Sequence, residues 1–357
     1  MVYEQKHAIQ KTMDVETRYI NEEKYNELKR FNVRGGDIIV SCRGTIGETY
    51  LVPDDSPLGI MHPSIMKIRL KDRVYIKNYF NDLLYTRLKK YESEANGSGV
   101  KMAISAAKLG EELFPVPTIQ QQKNIEQKLS SVRKLLRLRK EELLTLDQII
   151  KARFVELFGN PIHNEKGWDT AAVETVCKEI FGGGTPSKSH PEYYENGDIP
   201  WVSSKDMKTD VLTESQIYIN QKGIDNSTAR MVPVNSVIMV IRSGILKHTL
   251  PVAINAVPIT VNQDLKVFIP GESILTRFMA VQFKMQEADI LSGVRAVTAD
   301  NIEFNSLKQR AMIVPPIELQ KEYVDFLEQV DKSKVAVQKA LDETQLLFDS
   351  LMQEYFG

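Results

Sequence analysis

Two distant stretches of this chain read as copies of each other. Val116-Pro117-Thr118-Ile119-Gln120-Gln121-Gln122-Lys123 returns 198 residues later as Val314-Pro315-Pro316-Ile317-Glu318-Leu319-Gln320-Lys321. The same offset carries Phe158-Gly159 onto Phe356-Gly357. Tyr19-Ile20-Asn21 matches Tyr218-Ile219-Asn220 at an offset of 199, which also lays Arg43 on Arg242. A third echo pairs Ser98-Gly99-Val100-Lys101 with Ser292-Gly293-Val294-Arg295. Matches of two or three residues are common by chance, but a collinear series of them is not. The pattern predicts two tandem copies of one unit, and 357 residues are comfortable for two domains.

Each unit has two parts. The first is strand-rich: Asp37-Ile38-Ile39-Val40-Ser41 and Val237-Ile238-Met239-Val240-Ile241 are short apolar runs rich in β-branched residues. The second is a long helix entered through a Val-Pro pair. Positions 125, 129, 132, 136, 139, 143, 146, 150, 153 and 157 step by four and three. They hold Ile, Leu, Val, Leu, Arg, Leu, Leu, Ile, Arg and Leu. Adding 198 gives Tyr323, Leu327, Val330, Lys334, Val337, Leu341, Thr344, Phe348, Leu351 and Tyr355, a second heptad-type stripe.

Arg133, Lys134, Arg137, Arg139 and Lys140 make the first helix basic in its middle. The second carries Asp325, Glu328, Asp331, Asp342, Glu343 and Asp349. Complementary charge and matched length favour one coiled coil over two separate surface helices. About 39 residues at roughly 1.5 Å each give a rod of ~60 Å. The expected fold class is α+β: two strand-rich α/β globules separated by two long helices forming an antiparallel coiled coil, with a pseudo-two-fold internal repeat. The expected boundaries are 1–112 and 161–311 for the globules, and 113–160 and 312–357 for the helices. A rigid rod between two globules suits a two-fold-like ligand such as DNA, whose half-sites on one face repeat every ~34–36 Å.

Signals for catalysis are missing from the sequence. Gly182-Gly183-Gly184-Thr185-Pro186-Ser187-Lys188 superficially resembles a phosphate loop without the Gly-Lys-Ser/Thr ending; a flexible loop and a DNA-contacting loop remain equal readings of it. The five histidines have no metal-ligand spacing, and no metal site is expected. Asn160-Pro161-Ile162-His163 reads better as a helix stop than as a methyltransferase motif. The 46 Lys and Arg against 47 Asp and Glu leave a formal charge of −1. Any nucleic-acid binding must therefore come from local basic patches. Two cysteines, no signal peptide and no long apolar run point to the reducing cytoplasm and away from a membrane.

The matched arginines are the foremost DNA-contacting candidates. Arg43 precedes Gly44 and Thr45, Arg242 precedes Ser243, and both follow an apolar strand. Arginine suits bidentate contacts to guanine or phosphate; the other reading is an arginine that caps a carbonyl or pairs with an acid. Lys101 and Arg295 repeat in sign and suit phosphate. In the second globule, Lys188 and Lys205 flank Pro200-Trp201-Val202-Ser203-Ser204. Trp201 reads as core before base contact. Ser203 and Ser204 offer hydrogen bonds to base edges, although Ser/Asp runs are also ordinary caps. The basic middle of the first helix reads as pairing with the acidic helix or a partner, ahead of tracking a phosphate backbone.

A duplicated globule-plus-helix chain with GGGTPS, PWVSSKDM, SGVR and VPPIELQ in this order resembles the specificity subunit of type I restriction-modification enzymes. The likeness covers essentially the whole chain. It implies that the globules are target recognition domains, each reading one half of a split DNA sequence. The helices would set the gap and dock two modification subunits. It also implies a subunit without chemistry or cofactor of its own. S-adenosylmethionine then belongs to the modification subunits, which methylate adenine, and ATP and magnesium to restriction subunits that translocate and cleave. One departure stands out. The first globule has no counterpart of roughly residues 168–199, so it reads as shortened or as a variant beginning. The alternatives are a coiled-coil protein-interaction scaffold, a silent specificity subunit that binds partners but not a full target, and an enzyme with an unrecognised site.

Overall fold

The apolar run at Ile38 forms a strand in which every residue is buried, and its copy at Val237 does the same. The computed structural model describes residues 1–43, 45–71, 74–98, 105–293, 295–296 and 300–357. They form two units, Met1–Glu142 with Val337–Gly357, and Leu143–Ala336.

The first unit contains β1 (Val2–Tyr3), α1 (Gln5–Gln10), α2 (Glu22–Glu27), β2 (Asn32–Val33), β3 (Ile38–Ser41), β4 (Thr49–Leu51), β5 (Gly59–Met61), β6 (Ile65–Ile68), α3 (Lys77–Ser98), α4 (Ala106–Gly110) and the first part of α5 (Ile119–Phe158). Its sheets have the orders β4-β3-β6 and β1-β5-β2. Side chains alternate across β3. Ile38 and Val40 join Tyr79, Leu83, Leu84, Leu129 and Phe356 in one core, while Ile39 packs with Tyr3, Ala8 and Val52 in another. Here α5 runs antiparallel to the end of the C-terminal helix: Lys128 reaches Tyr355, and Arg133 lies over the Phe348 ring.

The second unit holds the rest of α5, then β7 (Thr170–Ala172), α6 (Val173–Val176), β8 (Cys177–Gly182), β9 (Ile199–Val202), β10 (Val211–Leu212), β11 (Tyr218–Ile219) and α7 (Gln221–Asp225). There follow β12 (Val237–Val240), β13 (Val252–Asn255), β14 (Thr260–Val261), β15 (Leu265–Pro270), α8 (Thr276–Met285), α9 (Glu287–Ser292), β16 (Arg295–Ala296), β17 (Asp300–Asn301), α10 (Phe304–Gln309), β18 (Ala311–Ile313) and the start of α11 (Ile317–Phe356). Its main sheet has five strands, β10-β13-β12-β15-β8. The fully buried β12 has both faces covered. Phe154, Phe158, Phe278 and Tyr323 cluster where helices meet globule, and α5 again runs antiparallel to α11, with Arg153 on Glu322 at 2.9 Å.

The duplication is visible in pairing register. Val2 pairs in parallel with Ile60, and Trp201 with Thr260. Ile38 pairs with Ile68, and Val237 with Phe268. Asn21 and Asn220 cap their short helices by the same side-chain acceptor. The α+β fold with two long helices is as expected, and none of the ten positions in either stripe is exposed.

One expectation about charge needs correction. Arg133 pairs with Asp82 of α3 at 2.5 Å, and Arg137 with Glu141 of its own helix. The carboxylate of Asp82 is buried under α5 and needs a counter-ion there, so it takes the arginine that complementarity assigned to the acidic helix. Ion pairs between the two long helices occur in the second unit, at Asp147–Lys334 and Arg153–Glu322.

Candidate nucleic-acid interface

In the second unit, several chain segments end at one edge of the main sheet. Val240 of β12 lies opposite Leu265 of β15, and Lys266 lies opposite Gly182 of β8. Beyond these strand ends come Arg242-Ser243, the Asn262-Gln263-Asp264 turn and the Gly183-Gly184-Thr185 loop. Val202 of β9 accepts from the Asn262 backbone N–H at 2.9 Å, which brings Ser203, Ser204 and Lys205 to the same turn.

The turn is held from inside. Asn262 Oδ1 accepts from the Asp264 backbone N–H at 3.1 Å, an Asx turn, and the Asp264 carbonyl accepts from Ile241 N–H at 2.9 Å. The Asp264 carboxylate then accepts from Arg242 Nε at 2.7 Å. This fixes one side of a guanidinium that stays 48% exposed and leaves its other donors for a ligand. The pairing reading of Arg242 is thus realised, and it aims the group as well as neutralising it.

The glycine loop is packed tightly. A Cβ on Gly183 would meet the Val261 carbonyl oxygen at 1.8 Å, and one on Gly184 would meet the Thr228 backbone at 2.3 Å. Gly184 N–H donates to Val261 at 3.0 Å, and Thr185 donates its hydroxyl proton to Gln263. This loop is a close-fitting brace against the turn, which answers the flexible-loop reading. Trp201 is core: it is buried, and its indole N–H donates to the Gly184 carbonyl at 2.9 Å. Ser203 caps a turn, its backbone N–H and hydroxyl both donating to Asp206 at 2.8 Å. Ser204 is half-buried, and Lys188 and Lys205 are exposed.

A cavity of about 300 Å³ opens beside Arg242, lined by Gln263, Lys266, Asn301, Glu303 and Phe304 among others. Burial, and then the neighbouring Arg242 charge, holds the Lys266 ammonium below the usual lysine range, and Lys266 lies 4.6 Å from the Phe304 ring centre. For Gln263 and Asp264 the sequence offers only the Asn-Gln-Asp string between two apolar runs, and for Lys266 no signal at all.

The first unit repeats the arrangement with different chemistry. Cys42 N–H donates to the Ser64 carbonyl at 2.9 Å, and Ser64 N–H to His62 Nδ1 at 3.1 Å. His62 stands where Asn262 does, and Ser64 replaces Asp264. Arg43 and Thr45 are exposed beside this turn. Gly44 and Lys101 lie outside the described residues, and of Arg295 only the backbone in β16 is described.

Among the described residues, no group of three or more His, Cys, Asp or Glu has metal-binding geometry, and no helix is long and apolar enough to cross a membrane.

The type I restriction modification DNA specificity domain family matches residues 6–148 and 165–344. A type I restriction enzyme specificity subunit of Escherichia coli is 37% identical over 153 residues, which are 42% of this chain and 38% of that relative's length. A second, from Methanocaldococcus jannaschii, is 22% identical over 342 residues, 89% of this chain and 76% of the relative. Among solved structures, a chain from a study of type I R-M complex assembly and conformational transition superposes with a TM-score of 0.60 at 18% identity. It covers 91% of this chain and 82% of the other. The type I S subunit from M. genitalium gives a TM-score of 0.54 at 14% identity over 92% and 85% of the two chains. Repeated architecture and family match agree: this chain belongs to the type I restriction-modification DNA specificity family.

Proposed function

We propose that the chain is the non-catalytic, sequence-reading subunit of a type I restriction-modification complex, acting on double-stranded DNA in the cytoplasm. Residues 1–112 and 161–311 act as target recognition domains for the two halves of a split target. The helical segments 113–160 and 312–357 set the gap and dock two modification subunits, with restriction subunits joining the same assembly. The chain itself needs no cofactor. S-adenosylmethionine sits on the modification subunits, and ATP and magnesium on the restriction subunits.

One observation carries this reading. In both units an exposed arginine follows the central strand beside a side-chain-locked turn, and in the second unit a carboxylate holds that arginine by its Nε while the side chain stays half-exposed. A duplicated arginine on a strand end, held in the second unit by Asp264, suits reading two like half-sites. Arg43, Gly44, Thr45 and Lys101 serve the first half, and Lys188, Ser203, Ser204, Lys205, Arg242, Ser243 and Arg295 the second. Within this set, lysines contact phosphate, and Arg43 and Arg242 contact base edges. Co-expression with modification subunits, followed by genome-wide mapping of N6-methyladenine, tests the proposal. A split methylated motif supports it; methylation of a contiguous site, or activity of the chain alone, overturns it.

A further inference from the structure

Each unit carries a cavity at the same place in its fold, and the two differ in the chemistry of their walls. In the first unit the cavity is about 640 Å³. Asn81, Asp82, Tyr85 and Lys89 line it from one face of α3, at the three- and four-residue spacing of a helix. Thr49 of β4 and Arg133 of α5 stand on its other sides. In the second unit a cavity of about 570 Å³ is lined by Ala280, Val281 and Lys284 of α8 and by Val252 of β13. The offset of 199 that lays Tyr79 on Phe278 lays these α8 residues on Asn81, Asp82 and Tyr85. Val252 pairs with Met239 as Thr49 pairs with Val40.

The equivalence isolates three positions. Where the second unit has Ala280, Val281 and Val252, the first has Asn81, Asp82 and Thr49. Asp82 is 5% exposed and Thr49 2%. Asp82 Oδ1 accepts from Arg133 at 2.5 Å. Its Oδ2, with Thr49 Oγ1 and Asn81 Oδ1, is buried without a hydrogen-bond partner among the described residues. Among the described residues, no such unpartnered atom lines the second cavity. A buried acceptor left unmet costs stability, and the second unit shows that apolar side chains fit the same wall. The polar set points to something that enters the first cavity.

What enters must donate. All three unmet atoms are oxygens, and those of a carboxylate and of an amide carbonyl only accept. The cations around them are already engaged. Lys89 and Lys11 pair with Glu48 at 2.7 and 3.6 Å, and lie 5.5 and 4.3 Å from the Tyr85 ring centre. Arg133 lies over the Phe348 ring. An anion would meet paired cations and repelling oxygens, and a planar base would meet rings already faced by charge. An alkylammonium brings three N–H donors, and half-buried Leu51, Phe348 and Met352 offer contact to its carbon chain.

We propose that the first-unit cavity is a binding site for a primary alkylammonium group, which donates to Asp82 Oδ2, Asn81 Oδ1 and Thr49 Oγ1. The group belongs to a free diamine or to a lysine side chain of another protein. This site does not rest on the assignment of the DNA-contacting residues.

The test is isothermal titration of the whole protein. Diaminobutane should show saturable one-to-one binding, and butanediol, of the same length without the charge, should bind at least about tenfold more weakly. Asp82→Val together with Arg133→Leu removes both members of the buried ion pair, an exchange that should keep the fold. Binding to that variant should fall about tenfold or more. Thr49→Val and Asn81→Ala, which copy the second unit, should each weaken binding about threefold or more. Hydrogen exchange with diaminobutane present should slow at residues 77–89. A lysine capped at both ends is the second probe: tighter binding than diaminobutane assigns the group to a protein side chain, and otherwise the ligand is a free amine. No saturable binding of either amine, the result for a cavity that holds water only, would overturn the proposal. So would equal binding of butanediol, unchanged binding in the three variants, preference for inorganic phosphate, or protection confined to α8.

Discussion

The two units share a joint and differ at what surrounds it. In the first, Gln122 Oε1 accepts from Ile76 N–H at 2.8 Å, and its amide donates to the Val74 and Pro117 carbonyls at 2.9 Å. In the second, Gln320 repeats every bond on Leu275, Ser273 and Pro315, at 2.9, 2.9 and 2.8 Å. The aromatic contact above it is also repeated: Tyr79 meets Phe356 edge-on at 5.2 Å, and Phe278 meets Phe158 at 4.9 Å. Against this constancy the flanking ion pair is reversed. Helix position 133 carries Arg, bonded to Asp82 of the globule, whereas the equivalent position 331 carries Asp, bonded to Arg277. The difference teaches that globule and long helix are locked by buried hydrogen bonds common to both copies. Charge is the part free to differ, and it distinguishes one joint from the other.

The largest expected effect tests the shared joint. Gln320→Leu keeps side-chain volume but leaves one N–H and two carbonyls without partners. At 1–3 kcal/mol for a buried unsatisfied group, the loss should be about 3 kcal/mol or more. Gln122→Leu should cost the same within about 1 kcal/mol. Urea unfolding with hydrogen exchange, which separates the two units, measures both. A first-unit loss below half of the second would break the equivalence.

The reversed pair should separate the units by pH. Burial, opposed by Arg133, raises the Asp82 carboxyl above the ordinary carboxylate range. The native state therefore holds this proton more tightly than the unfolded chain. Stability from this group is complete below the unfolded pKa and falls as pH rises through the native value. Arg133→Leu removes the opposing charge and should cost about 3 kcal/mol at neutral pH, with much of the loss recovered on acidification. In the second unit the pair is open to solvent on both sides, at 32% and 37% exposure. Arg277→Leu should there cost about 1 kcal/mol with no comparable recovery. Equal pH profiles for the two variants would sink the contrast.

Legibility in the sequence followed the same division. The repeated features, Phe158 with Phe356 and Val-Pro before each helix, were visible because they recur at a fixed offset. The stripes were visible because helical period is a local property. The number of strands in each sheet was not visible, since β8 joins β15 across more than 80 residues. The partner of Arg242 was hidden for the same reason: Asp264 lies 22 residues away, and only the close pairing of β12 with β15 joins them. Position 133 misled because its charge was weighed against the facing helix, while the demand came from a buried carboxylate on the globule.

A third test sharpens the contrast between the two turns. Asp264→Ala frees the Arg242 side chain. If that arginine reads a base edge, the complex should lose about 1–2 kcal/mol of discrimination at one position of the second half-site. Ser64→Ala should change nothing comparable, because Ser64 presents no carboxylate to Arg43. Competition binding with single-base variants of the mapped target reads both effects.

The smallest effect concerns phosphate. Lys205 is exposed beside the same turn, next to a Ser203 held by Asp206, so its removal leaves the turn intact. A lysine that only neutralises phosphate releases about one counter-ion on binding. Lys205→Ala should therefore lower the slope of log affinity against log salt by about one, and weaken all sequences alike. Asp264→Ala, acting through the position of one guanidinium, should leave that slope nearly unchanged while altering base preference. If Lys205→Ala instead changes preference, or Asp264→Ala instead changes the slope, the roles assigned to lysine and arginine at this strand end are exchanged.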